Sequence, residues 1–176
     1  DAFRKWEILR QDHEEPFGTL FTKQVESAIR GVENPVILDA ACGEGYAKQL
    51  LESTLPHVTV VGVDFDPDVL HEDRWLPNDE TCPRTAADLG KLPFAAESFD
   101  AIVSISGLTT LEDSEMLPVA PELSRVLKPS GKLVVTNDTR RGSDVVRDLP
   151  IEHVHIYPDE MPVVTYDEFG EISELV

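Results

Sequence analysis

Cysteine is scarce. Cys42 and Cys82 are the only two in 176 residues, which is no disulfide framework for a chain of this size. Long apolar runs are missing too. No stretch approaches the roughly 20 residues that a membrane span needs, and no basic-then-apolar leader opens the chain. We therefore expect a cytoplasmic protein with no membrane contact. Basic residues are in short supply: 15 Lys and Arg stand against 34 Asp and Glu, a formal net charge of −19. Such a surface repels phosphate backbones and disfavours a nucleic-acid substrate. Repeats and low-complexity tracts are absent as well.

What is present looks globular. Apolar residues make up 41% of the chain, an ordinary share for a folded domain. The length suits one domain with a real core and hardly two. The acids are spread along the whole chain and crowd loops such as "DFDPD" and "PNDET", and arginine outnumbers lysine. This charge pattern resembles that of proteins from salt-loving organisms, whose carboxylate surfaces stay hydrated in concentrated salt.

Periodicity predicts the elements. "TLFTKQVESAIRGV" places Leu20, Phe21, Val25, Ala28 and Ile29 at helical spacing, with Thr19 or Thr22 as cap and Gly31 as stop. "PVILDA", "VTVVGVDF", "FDAIVSISGL" and "GKLVVTN" are β-branched runs of strand length, and "RTAADL" holds a shorter one. Between them "GYAKQLLESTL" reads as a helix, "PDVLHEDRWL" as a short helix with Pro67 at its first position, and "MLPVAPELSRVL" as a helix broken near its start by two prolines. Beyond Asn137, "RGSDVVRDL" reads as a short helix, and "IEHVHIY", "PVVTYDEF" and "GEISELV" as strands. Strand and helix in alternation predict an α/β fold. We expect a Rossmann-like, doubly wound, mostly parallel sheet with an antiparallel C-terminal strand and helices on both faces. Residues 1–176 would form a single domain: an N-terminal helical segment (1–31), a ligand-binding core (32–137) and abbreviated C-terminal strands (138–176). Ligands of such sheets bind at the carboxyl ends of the strands, at the topological switch point.

The stretch "VILDAACGEGYA", residues 36–47, carries the chemistry. Gly43 and Gly45 let the backbone approach a ligand closely. The helix that follows presents a partial positive charge at its N-terminus. Dinucleotide folds use G-x-G-x-x-G here for a pyrophosphate, but the third glycine is replaced by Lys48. Asp64, at the end of the second strand, suits a ribose hydroxyl in either kind of fold. Asp39 discriminates. A carboxylate beside a pyrophosphate is unfavourable in a low-dielectric site, whereas beside an ammonium and a sulfonium it is favourable. Glu44 adds to that preference. The stretch therefore points to S-adenosylmethionine rather than NAD; the competing role for Asp39 is a cap on the turn or the next helix.

Four segments in order resemble the class I S-adenosylmethionine-dependent methyltransferases, in particular the small-molecule type related to ubiquinone and menaquinone biosynthesis. "VILDAACGEGYA" is similar to the first family motif, D-x-x-C-G-x-G. "VVGVDFDPDVL" is similar to the second strand with its ribose-binding acid. "AADLGKLPFAAESFDAIVSISGL" resembles the third and fourth motifs. "LSRVLKPSGKLVVTN" resembles the R-x-L-K-P-G-G segment, with Ser130 in place of the first glycine. The resemblance covers roughly residues 30–137, and it implies S-adenosyl-L-methionine as cofactor. It further implies roles: Ala41, Gly43 and Gly45 near the methionine moiety, Asp39 on its ammonium and sulfonium side, and Asp64 on both ribose hydroxyls. Phe65 would pack on the adenine, Asp88 would accept from its amino group, Leu89 would offer its backbone N–H, and Ser104 its backbone carbonyl to the ammonium.

Methyl transfer needs little from the protein beyond proximity and orientation, because the cofactor carries the activated group. No catalytic residue stands out. His153, His155 and Tyr157 share one strand register and are candidates for the acceptor pocket or for a base, with solvated strand positions as the alternative. The histidine pair has no third ligand at metal spacing, so no metal site is expected. No N-P-P-Y or D-P-P-Y segment follows the fourth strand, which argues against base-amino methylation of nucleic acid. Glu112 and Glu115 do not match the glutamate pair of protein arginine methyltransferases. The short C-terminal end leaves little room for a lid, so the pocket would be open, or covered by the segment around Trp6 and Phe17, by a homodimer mate or by a partner chain. The expected function is methylation of a small-molecule acceptor. The alternative is a non-catalytic module that binds S-adenosylmethionine or supports a partner subunit.

Overall fold

The structure is a computed structural model. It describes residues 17–71 and 83–136 and three strand segments at 153–156, 164–166 and 172–174. In chain order the elements are α1 (Phe17–Ala28), β1 (Val36–Ala40), α2 (Tyr46–Thr54), β2 (Thr59–Asp64), a 3-10 turn (Val69–His71), β3 (Arg84–Ala86), β4 (Phe99–Ile105), a second 3-10 turn (Leu108–Thr110), α3 (Asp113–Val126), β5 (Leu127–Thr136), β6 (His153–Ile156), β7 (Val164–Tyr166) and β8 (Ile172–Glu174). They build one sheet in the order β3-β2-β1-β4-β5-β6-β7-β8.

Alternation along the strands sorts the core into two layers. Ile37, Val60, Ala101, Val103 and Val134 face α1 and α2, which contribute Leu20, Phe21, Val25, Ala47 and Leu51, with Ile29 just past the end of α1. The neighbouring positions Leu38, Val63, Ile102, Leu133 and Val135 face the other way, onto Met116, Val119, Leu123 and Val126 of α3. Helices thus cover both faces, as the alternating pattern implies. The strands β3, β2, β1, β4 and β5 are mutually parallel. The order reverses between β1 and β4, so the switch point lies at their carboxyl ends.

Three expectations need correction. Pro118 and Pro121 do not break the third helix: α3 runs unbroken from Asp113 to Val126, opened by a capping box between Glu112 and Glu115. Interior prolines cost about 3 kcal/mol each. Burial of Met116, Val119, Leu123 and Val126 offsets this at roughly 1.5–3 kcal/mol per side chain. Second, the antiparallel pairing expected of the C-terminal strand does not begin at β5. β6 runs parallel to it, pairing Leu133 with His153 and Val135 with His155, and the Thr136–His153 connection is long enough for a parallel crossover. Antiparallel pairing begins only one strand further out, at β7 and β8. Third, "PDVLHEDRWL" supplies a single 3-10 turn at Val69–His71 among the described residues. The helix expected in "RGSDVVRDL" lies outside them.

Candidate functional site

The carboxyl ends of β1, β2 and β4 bring most of the sequence-predicted residues together. β1 delivers Asp39 between Gly62 of β2 and Val103 of β4. The chain then turns sharply. Ala41, Gly43 and Gly45 all have positive φ, at 61°, 50° and 93°, and α2 starts at the next residue without a side-chain cap. Glycine adopts this conformation at no steric cost, whereas alanine does so under strain. Cys42 packs inward, 8% exposed. It fits because Gly62 has no side chain: a Cβ there would lie 2.7 Å from the Cys42 Sγ. Lys48, where a dinucleotide fold has its third glycine, is buried and paired with Glu52.

Asp64 ends β2 beside this turn. Its Oδ2 accepts from the Gly43 N–H at 2.8 Å and its Oδ1 from the Asp66 N–H at 3.0 Å. The carboxylate is therefore oriented by backbone before any ligand arrives, and each oxygen retains acceptor capacity. Asp39 is in a different state. It is 2% exposed, and its Oδ2 is buried with no hydrogen-bond partner. Burial, reinforced by the Asp64 charge, pushes its carboxyl up from 3.8 to about 7. A buried acceptor without a partner is costly, and a cation is the partner that would relieve it.

Phe65 follows Asp64 with its ring 79% exposed, the most exposed large apolar side chain among the described residues. Asp88 is exposed after β3, and its Oδ1 accepts from the Gly90 N–H at 2.8 Å. Leu89 is buried against the α3 layer. Ser104 is the penultimate residue of β4. It is fully buried, and its hydroxyl accepts from the Leu108 N–H at 3.1 Å. His153 and His155 sit in β6, three strands from β1, while Tyr157 and Trp6 lie outside the described residues. Phe17 opens α1. Among the described residues no group of three His, Cys, Asp or Glu is placed to hold a metal ion, and no helix is long and apolar enough to cross a membrane.

Sequence reasoning missed the corner after β4. Ser106 has φ 63°, and its N–H donates to the Thr136 hydroxyl at 2.9 Å. Gly107 then packs directly on Ala41. The available signal was the small "SGL" step after a buried strand, which marks a close backbone approach.

Comparison with known proteins fits this geometry. A methyltransferase domain family matches residues 37–131. The match and the strand order define the class: the chain belongs to the class I, S-adenosylmethionine-dependent methyltransferase family. Within it, the chain is 38% identical over 121 residues to the uncharacterized methyltransferase YodH of Bacillus subtilis, covering 68% of this chain and 50% of that protein. It is 30% identical over 110 residues to the ubiquinone/menaquinone biosynthesis C-methyltransferase UbiE of Desulfotalea psychrophila, covering 62% and 44%. The chain thus spans about half the length of the curated relatives it matches. Its fold is similar to that of CalS10, an amino pentose methyltransferase of Micromonospora echinaspora determined with S-adenosylmethionine bound. That likeness has a TM-score of 0.60 at 21% identity and covers 78% of this chain and 56% of that one.

Proposed function

We propose that this chain binds S-adenosylmethionine at the β1–β2–β4 ends and transfers its methyl group to a small-molecule acceptor. The observation that carries the reading is Asp39. A buried carboxylate oxygen with no protein partner suits a cationic ligand and is wrong for a pyrophosphate. The rest of the site is compatible. Gly43 and Gly45 leave backbone room, Asp64 is held ready to accept two ribose hydroxyls, and Phe65 offers an open aromatic face to the adenine. Asp88, the Leu89 N–H and the Ser104 carbonyl would complete the contacts.

When bound, the cofactor supplies a methyl group on a sulfonium, already activated toward a nucleophile. The chain's own work is then to bind and orient. Asp39 and Asp64 fix the two ends of the donor, and orientation of this kind is worth up to roughly 7–11 kcal/mol. Ubiquinone-type relatives support a small-molecule acceptor, and the net charge of −19 argues against a nucleic acid. The described sheet and helices make up one unit, for which we keep 32–137 as the cofactor core between an N-terminal helical segment and C-terminal strands.

Calorimetric titration with S-adenosylmethionine, S-adenosylhomocysteine and NAD tests the reading, in low salt and in molar KCl. We expect micromolar binding of both sulfur ligands and none of NAD. Asp64→Ala should weaken both by at least about 100-fold, since two charge-assisted hydrogen bonds are lost at roughly 1.5–3 kcal/mol each. Binding of NAD alone would overturn the assignment.

A further inference from the structure

Two corners meet at the switch point. One is the turn after β1, with Ala41 in the left-handed region; the other is the corner after β4, with Ser106 in the same region. Neither residue is a glycine, and strain of this kind persists only where surrounding contacts hold it. The contacts are visible. The Ser106 N–H is held by Thr136, which is fully buried in β5. The Leu108 N–H is held by the Ser104 hydroxyl. Between them Gly107 lies against Ala41. A Cβ on Gly107 would overlap the Ala41 Cβ and would stand 3.1 Å from the Ser104 Oγ and 3.3 Å from the Ala41 carbonyl oxygen. The φ of Gly107 is −70°, a value open to any residue. Its lack of a side chain is therefore a matter of space alone.

We infer that Gly107 is a positioning residue for the donor site: its contact with Ala41 sets the Ala41–Gly45 turn against the β4 corner. The inference rests on the cofactor reading above. Gly107 acts through Ala41, and it touches the turn from the side where strand β4, rather than β2, closes the crevice.

A double-mutant cycle on the pair tests this, read by calorimetric affinity for S-adenosylhomocysteine and by thermal unfolding. The variants are Gly107→Ala, Ala41→Gly and both together, with Gly131→Ala as a steric control in β5, beside the amino end of β4. A Cβ on Gly131 would stand 2.5 Å from the Leu127 Cδ1 and 2.9 Å from the Asp100 carbonyl oxygen. Gly107→Ala should weaken binding by about tenfold or more, and the double variant should recover most of it, because the effects of residues in contact are not additive. Gly131→Ala should lower Tm and leave affinity unchanged. Unaltered affinity in Gly107→Ala overturns the inference, and so does a loss that Ala41→Gly does not restore. If Gly107→Ala fails to fold, the double variant decides: recovery of fold and affinity supports the pair, and failure in both overturns it. A wild-type chain that binds no S-adenosylhomocysteine overturns the cofactor reading instead, a result distinct from any difference among the variants.

Discussion

The two ends of the parallel strands treat their buried charges in opposite ways. At the amino ends three carboxylates have partners: buried Asp100 and half-buried Glu52 and Glu122. Asp100 accepts from the Val36 N–H at 2.9 Å and from Lys128 at 2.6 Å. Glu52 joins the Val60 N–H, at 2.8 Å, to Lys48. Glu122 takes two bonds from Arg125 and one from the Leu92 N–H, and the guanidinium holds its carboxyl below the ordinary value. At the carboxyl ends Asp39 is buried with an oxygen left over. On the function proposed above, the difference separates stability from ligand binding: these amino-end carboxylates are satisfied from within the chain, and the oxygen left over on Asp39 would be met by a cationic ligand.

The contrast can be broken most sharply at Asp39. Its carboxyl titrates near 7 in the folded chain and at 3.8 unfolded. Between those values the folded state binds the extra proton, so this residue makes stability fall as pH rises and stop falling above the folded value. Asp39→Asn removes the penalty. We expect the variant to be more stable than the wild type by about 4 kcal/mol above pH 7, with the advantage shrinking toward zero near pH 4. Urea unfolding across that range measures it, and parallel stability curves for the two proteins would break the comparison.

Asp100→Ala probes the other end. It leaves the Val36 N–H and Lys128 without their acceptor. We expect a loss of about 1–3 kcal/mol in unfolding free energy and no change in affinity for S-adenosylhomocysteine. A loss of affinity as large as the loss of stability would merge the two ends into one system.

Phe65→Ala gives the smallest effect and the inverse pattern. The ring is 79% exposed, so Tm should hold. Affinity should fall by the worth of one aromatic contact, about 0.5–1.5 kcal/mol. A drop in Tm without a drop in affinity would give Phe65 a packing role instead.

Much of this was legible in the sequence, for a local reason. "PVILDA", "VTVVGVDF" and "FDAIVSISGL" are β-branched runs bounded by turns, and each became a strand of the parallel core. Leu20, Phe21, Val25 and Ile29 recur at helical spacing, and they are buried along α1 and the turn that ends it. The misreadings are non-local. Pro118 and Pro121 look like breaks until the burial of their neighbours is weighed. The direction of β6 depends on a crossover, not on its own four residues. Gly107 is unremarkable until Ala41 is set beside it.

The sequence by itself determined the element types, the order of the motifs, the acidic surface and the family, because these live in periodicity, composition and short spacing. Only the tertiary structure decided that Asp39 is buried with an unpartnered oxygen, that Asp64 is oriented by Gly43, and that the β1 and β4 corners meet. Each of these joins or surrounds residues far apart in the chain. A charge acquires its environment, and a glycine its necessity, only when the strands are laid side by side.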